Sequence, residues 1–132
     1  MAADLAEDVA EAGRWWATMR PQLTPDVAGL WFGIFTASSE TSEVRTLYVA
    51  GAATFDAQDE TAEWAAGEYA WQPDGRYVVL PVLAALAEQP FEVPLAHAAA
   101  VLREVEPWRD VPGVGAAVGY DDGDFLLLYD GK

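Results

Sequence analysis

Residues Gly29–Ala37 read GLWFGIFTA, a near-continuous apolar run with aromatic and β-branched members. A strand built from it has no face that favours water, so it is predicted to be buried on both faces. Everything else in the chain has to supply cover for that strand. Ser38-Ser39-Glu40-Thr41-Ser42 follows as a turn, and Glu43–Ala50 as a second strand, hairpin-paired with the first. In that second strand Val44, Thr46 and Tyr48 share one face, and Arg45, Leu47 and Val49 the other. Gly51 and the small residues after it end the strand.

Helical periodicity appears on either side of this pair. Leu5, Val9, Trp16 and Met19 fall on one face of a helix predicted over Ala3–Arg20. Acids crowd its first half and Arg14 and Arg20 its second, which suits the helix dipole. Pro21 stops it, having no backbone N–H to donate. Of Trp15 and Trp16, one is expected to pack inward and the other to lie flat on the surface. Tyr77–Leu80 reads as a short strand or a helix approach, and Pro81 fits a first helical turn. Leu80, Leu83, Ala84 and Ala87 then share a helical face, with Pro90 as the stop. A last helix is predicted over Glu92–Glu106, its inner stripe formed by Leu95, Ala98, Leu102 and Val105. Val114–Tyr120 and Asp124–Asp130 flank Asp121-Asp122-Gly123, a hairpin signal.

Strands and helices are grouped rather than alternating. The expected fold is therefore α+β, a mainly antiparallel sheet of about four to five strands packed with about three helices. With 132 residues and no linker, repeat or low-complexity tract, a single domain over 1–132 is expected.

Charge limits the partners. Acids number 22 against 7 basic residues, a net charge of −15. Binding to nucleic-acid phosphate works through cations, so no nucleic acid is expected as a partner. There is no cysteine, and His97 is the one histidine, so thiolate sites and sites of two histidines from one chain are excluded. No basic-then-apolar leader starts the sequence, and the longest apolar stretch, around Tyr77–Ala87, is short and broken by Pro81. A cytoplasmic protein without a membrane partner is expected.

No constellation demands a reaction. Asp56, Asp59, Glu60 and Glu63 form the most acidic segment, but their spacing does not match the alternating ligands of a calcium loop. With Thr61–Ala66 as a helical turn, Asp59 and Glu63 sit four apart, on an exposed acidic face with Glu60. Asp121, Asp122 and Asp124 are accounted for by turn chemistry. His97 reads as a packed or capped side chain, and the serines lie together in one turn with no elbow motif around them. There is no phosphate loop, dinucleotide fingerprint or zinc helix. No catalytic residue, metal ligand or cofactor is therefore expected. The remaining signal is aromatic: Trp64, Tyr69, Trp71 and Tyr77 interleave with Glu63, Glu68, Asp74 and Arg76. These aromatics either cap one end of the sheet or serve as contact anchors beside an acidic rim. On the second reading Asp56, Asp59, Glu60, Glu63, Trp64, Glu68, Tyr69 and Trp71 form a partner-binding set.

Leu47-Tyr48-Val49-Ala50-Gly51, Phe55-Asp56, Glu63-Trp64-Ala65 and Gly75-Arg76-Tyr77 resemble small acidic bacterial proteins encoded beside polymorphic toxins, the immunity-type proteins. The resemblance covers about a quarter of the chain and carries no catalytic residue. It implies a non-catalytic module that binds a basic protein, such as a toxin domain, and blocks its site. Two alternatives stay open. One is a small carboxylate-based enzyme or a divalent-cation or ligand-binding domain. The other is a homo-oligomer subunit whose charge keeps it soluble.

Overall fold

The computed structural model describes residues 3–38, 43–67, 69–111, 113–120 and 123–131. The expected turn over Ser39–Ser42, Glu68 of the partner-binding set, and Asp121 and Asp122 of the hairpin tip lie outside them. Among the described residues the chain forms three α-helices and one five-stranded sheet, an α+β arrangement. The helices are α1 (Ala3–Met19), α2 (Pro81–Ala84) and α3 (Glu92–Val105). The strands are β1 (Gly29–Ser38), β2 (Glu43–Ala52), β3 (Tyr77–Val78), β4 (Gly115–Tyr120) and β5 (Phe125–Tyr129), in the spatial order β3-β2-β1-β4-β5.

The apolar run takes the centre of the sheet. β1 pairs antiparallel with β2 and parallel with β4, and the two edge pairings are antiparallel. A mostly antiparallel sheet was the expectation from the element order. The parallel pairing follows from the long connection between β2 and β4, which lets the chain return beside β1 in its own direction.

Alternation along each strand gives the sheet two unlike faces. Leu30, Phe32 and Ile34 of β1, Leu47 and Val49 of β2, and Ala116 and Val118 of β4 pack with the helices in the larger core. Leu83 from α2, Leu95, Ala98, Val101 and Leu102 from α3, and Trp16 and Met19 from α1 close that core. The α3 stripe read from the sequence is the face that packs. Trp31, Tyr48, Ala50 and Ala117 point the other way, into a smaller cluster with Ala62 and Ala65.

Two local expectations are corrected. Trp15 and Trp16 are both buried, at 7% and 5% exposure. The turn after Trp71 folds over α1, and Trp15 Nε1 donates to the Gly75 carbonyl at 2.9 Å, which removes the indole from water. The helix starting at Pro81 stops at Ala84 instead of running on to Pro90. Past Ala84 the chain tightens into i→i+3 turns, Leu86 N to Leu83 O at 3.0 Å and Gln89 N to Leu86 O at 3.0 Å. Among the described residues, no helix is long and apolar enough to cross a membrane.

Candidate functional site

The smaller core is where the sheet departs from an ordinary two-layer fold. On this side no α-helix among the described residues covers the strands. The segment from Ala53 to Gly67, which carries most of the acidic set, crosses them instead. Small residues in the strands make the crossing possible. A Cβ added at Gly115 would lie 2.2 Å from Phe55 ring atoms, and one at Gly29 would lie 2.7 Å from the Trp64 ring. Phe55 and Trp64 therefore rest directly on strand backbone. They also meet each other edge to face, with centroids 4.7 Å apart. Trp64 meets Trp31 in the same manner at 6.3 Å. Such ring pairs add about 0.5–1.5 kcal/mol each beyond their burial.

Between these anchors the backbone is held by its own acids. Asp56 Oδ1 accepts the Gln58 N–H at 2.9 Å, a local turn contact. Asp59 does more. Its Oδ1 accepts the Thr61 N–H at 2.9 Å and the Thr61 hydroxyl at 2.8 Å, and its Oδ2 accepts the Glu63 N–H at 2.9 Å. The carboxylate thereby spans Ala62, which sits in the left-handed region at φ 53° and precedes a 3-10 turn over Glu63–Ala65. Hydrogen bonds from the Thr61 backbone and hydroxyl, and then from the Glu63 and Trp64 backbone, outweigh desolvation and hold the Asp59 carboxyl below its ordinary value. The helical turn expected over Thr61–Ala66 is thus a shorter 3-10 turn, and Asp59 is its internal clamp.

The other acids of the segment remain outward. Asp56, Glu60 and Glu63 are exposed. Neither Glu60 nor Glu63 has a side-chain hydrogen bond or ion pair among the described residues. Beside them Trp64 and Tyr69 are half-buried. Four of the predicted partner-binding residues, Glu60, Glu63, Trp64 and Tyr69, thus share one side of the sheet, with Asp56 in the same segment. Trp71 does not join them. It is 5% exposed, belongs to the larger core and meets Trp16 edge to face at 6.4 Å. Its Nε1 donates to the Gln22 carbonyl at 2.8 Å. As a contact anchor Trp71 is corrected to a core residue: it is bridged to Gly51 in β2, whose position in the alternation faces the helices.

Two clefts open on this side, with Tyr69 on the wall of both. The larger, about 550 Å³, lies between the acidic segment and the β4–β5 side, and is lined by Glu60, Thr61, Trp31, Tyr120 and Phe125 among others. The smaller, about 370 Å³, is lined by Phe35, Tyr48, Tyr77, Gln72 and Arg76. The Arg76 guanidinium lies over the Tyr77 ring, 4.9 Å from its centroid. The clefts therefore differ in sign, one bearing a carboxylate and the other a guanidinium. Neither brings two carboxylates together among the described residues, and no group of three or more histidine, aspartate or glutamate side chains there is placed to hold a metal ion.

One ionisable pair was legible only in part. His97 is packed, as its helix position suggested, but its partner is Asp8 of α1, whose carboxylate is fully buried. Asp8 looks in the sequence like one more acid on an acidic helix. Nothing local distinguishes it.

No family model, no curated protein and no solved structure matches the chain.

Proposed function

We propose that this chain is a non-catalytic module that binds a basic protein through the side of the sheet crossed by the acidic segment. The observation that carries this reading is the placement of Asp56, Glu60 and Glu63. They stand exposed on the side of the sheet that no α-helix covers among the described residues, beside half-buried Trp64 and Tyr69. Carboxylates at a rim steer a cationic partner and raise its association rate, while large aromatics supply contact area. A net charge of −15 adds a long-range field of the same sign. The partner class suggested by the resemblance to immunity-type proteins is a toxin domain, neutralised by occlusion.

The test is affinity capture with the purified chain from cells of the organism that encodes it, run beside a D56N/E60Q/E63Q variant. A basic protein retained by the natural chain, released by raised salt and lost with the variant is the expected result. Recovery of no basic protein, or retention that the variant leaves unchanged, overturns the reading.

A further inference from the structure

We infer that the larger cleft seats the guanidinium of an arginine side chain presented by the basic partner. This rests on the reading above and specifies the chemistry of its contact. Two donors on the cleft wall are already committed elsewhere. Trp31 Nε1 donates to the Tyr48 hydroxyl at 3.1 Å, and the Thr61 hydroxyl to Asp59 at 2.8 Å. Ring surface on this wall comes from Tyr69 and Phe125, both half-buried on the cleft side of the sheet, whereas the Tyr120 ring lies on the helix side under the Arg45 guanidinium. The acceptor is Glu60, a carboxylate with no hydrogen-bond or ion-pair partner among the described residues. Two aromatic faces beside one charged acceptor among the described residues suit a guest that only donates and is positive.

Arginine meets that description. Its guanidinium has five N–H donors and no acceptor, stacks on aromatic faces, and binds a carboxylate through two parallel hydrogen bonds. Lysine's ammonium is a compact, strongly hydrated charge that uses ring faces less well. At about 550 Å³ the cleft is within the usual range for ligand sites and holds a guanidinium with its aliphatic stem. The neighbouring cleft is the contrast: its own Arg76 repels such a guest.

The experiment is an NMR titration of the full chain with N-acetyl-L-arginine amide, N-acetyl-L-citrulline amide and tetramethylammonium. Citrulline keeps the shape and removes the charge. The arginine compound is expected to give saturable shifts at the Trp31 indole, Thr61 and Phe125, and citrulline amide at least about tenfold weaker binding, given the strength of charged hydrogen bonds. E60Q should weaken the arginine compound by a similar factor. E104Q, the same change of charge on the exposed face of α3, should leave it unaltered. Equal binding of arginine and citrulline amides overturns the inference, as does equal loss in E60Q and E104Q. Binding of tetramethylammonium without the arginine compound also overturns it. If these shifts are absent while capture of a basic protein still depends on the acidic segment, the cleft assignment falls and the module reading stands. If the shifts are present and capture fails, the module reading falls.

Discussion

Asp8 Oδ2 lies 2.7 Å from His97 Nε2, and through this contact three helices are fastened at one point. The same carboxylate accepts the backbone N–H groups of Val82 at 3.0 Å and Leu83 at 2.9 Å, the unpaired donors of the first turn of α2. Asp8 comes from α1 and His97 from α3, so each of the three helices contributes to one buried polar knot. A carboxylate removed from water this completely is tolerated because each of its oxygens is hydrogen-bonded.

Replacing Asp8 with alanine leaves two backbone donors and an imidazole without their acceptor. The expected loss of stability is about 3 kcal/mol or more, the scale for breaking a buried charged contact from one side. His97→Ala should cost less, since Asp8 keeps both backbone donors. Urea denaturation of the two variants decides it. A D8A loss below about 1 kcal/mol would remove the knot as a determinant of helix packing.

The clamp at Asp59 makes a pH prediction. Its carboxyl titrates below the ordinary 3.8 because the folded state donates hydrogen bonds to the ionised form. The ionised group therefore stabilises the fold in full above that ordinary value, and the contribution fades as pH falls through the lower folded midpoint. Carboxyl-detected NMR titration should place Asp59 below 3.8. A midpoint at or above 3.8 in the natural chain, or no shift of acid unfolding in D59N, contradicts the clamp.

Gly115 is the seat of Phe55. A methyl group there would meet the ring at 2.2 Å, so Gly115→Ala should destabilise by about 1–3 kcal/mol through forced displacement of the acidic segment. In an F55A background the same change should cost less than about 0.5 kcal/mol, since the clashing ring is gone. Additive losses in the double variant would mean that the ring does not rest on this glycine.

Trp71 and Tyr77 separate the two aromatic roles. Trp71→Ala should cost about 3–5 kcal/mol, as for a buried ring in a packed core. Tyr77 is 54% exposed, and its alanine variant should cost less than about 1 kcal/mol. Thermal or urea unfolding of the pair gives the comparison. Equal losses would show that Trp71 is not the core member of the two.

What the sequence determined by itself is what short-range physics controls. The uncharged run from Gly29 is buried as far as Ile34, in the strand that lies between β2 and β4. The spacing of Leu95, Ala98 and Leu102 chose the inward face of α3. Pro81 entered the first turn of α2, where a missing N–H costs nothing. The surplus of carboxylates is a property of composition alone. Tertiary structure decided which members of similar local patterns go where. Trp64 and Trp71 are seven positions apart in one aromatic-acidic stretch, yet they end on opposite faces of the sheet. Asp8 and Glu7 are neighbours on one helix, and one is fully buried while the other is exposed. The physical reason is distance along the chain. Asp8 finds His97 across 89 positions, and Trp15 finds Gly75 across 60. Periodicity and turn chemistry act over a few residues, so a contact that closes such a loop leaves no local mark on either side chain.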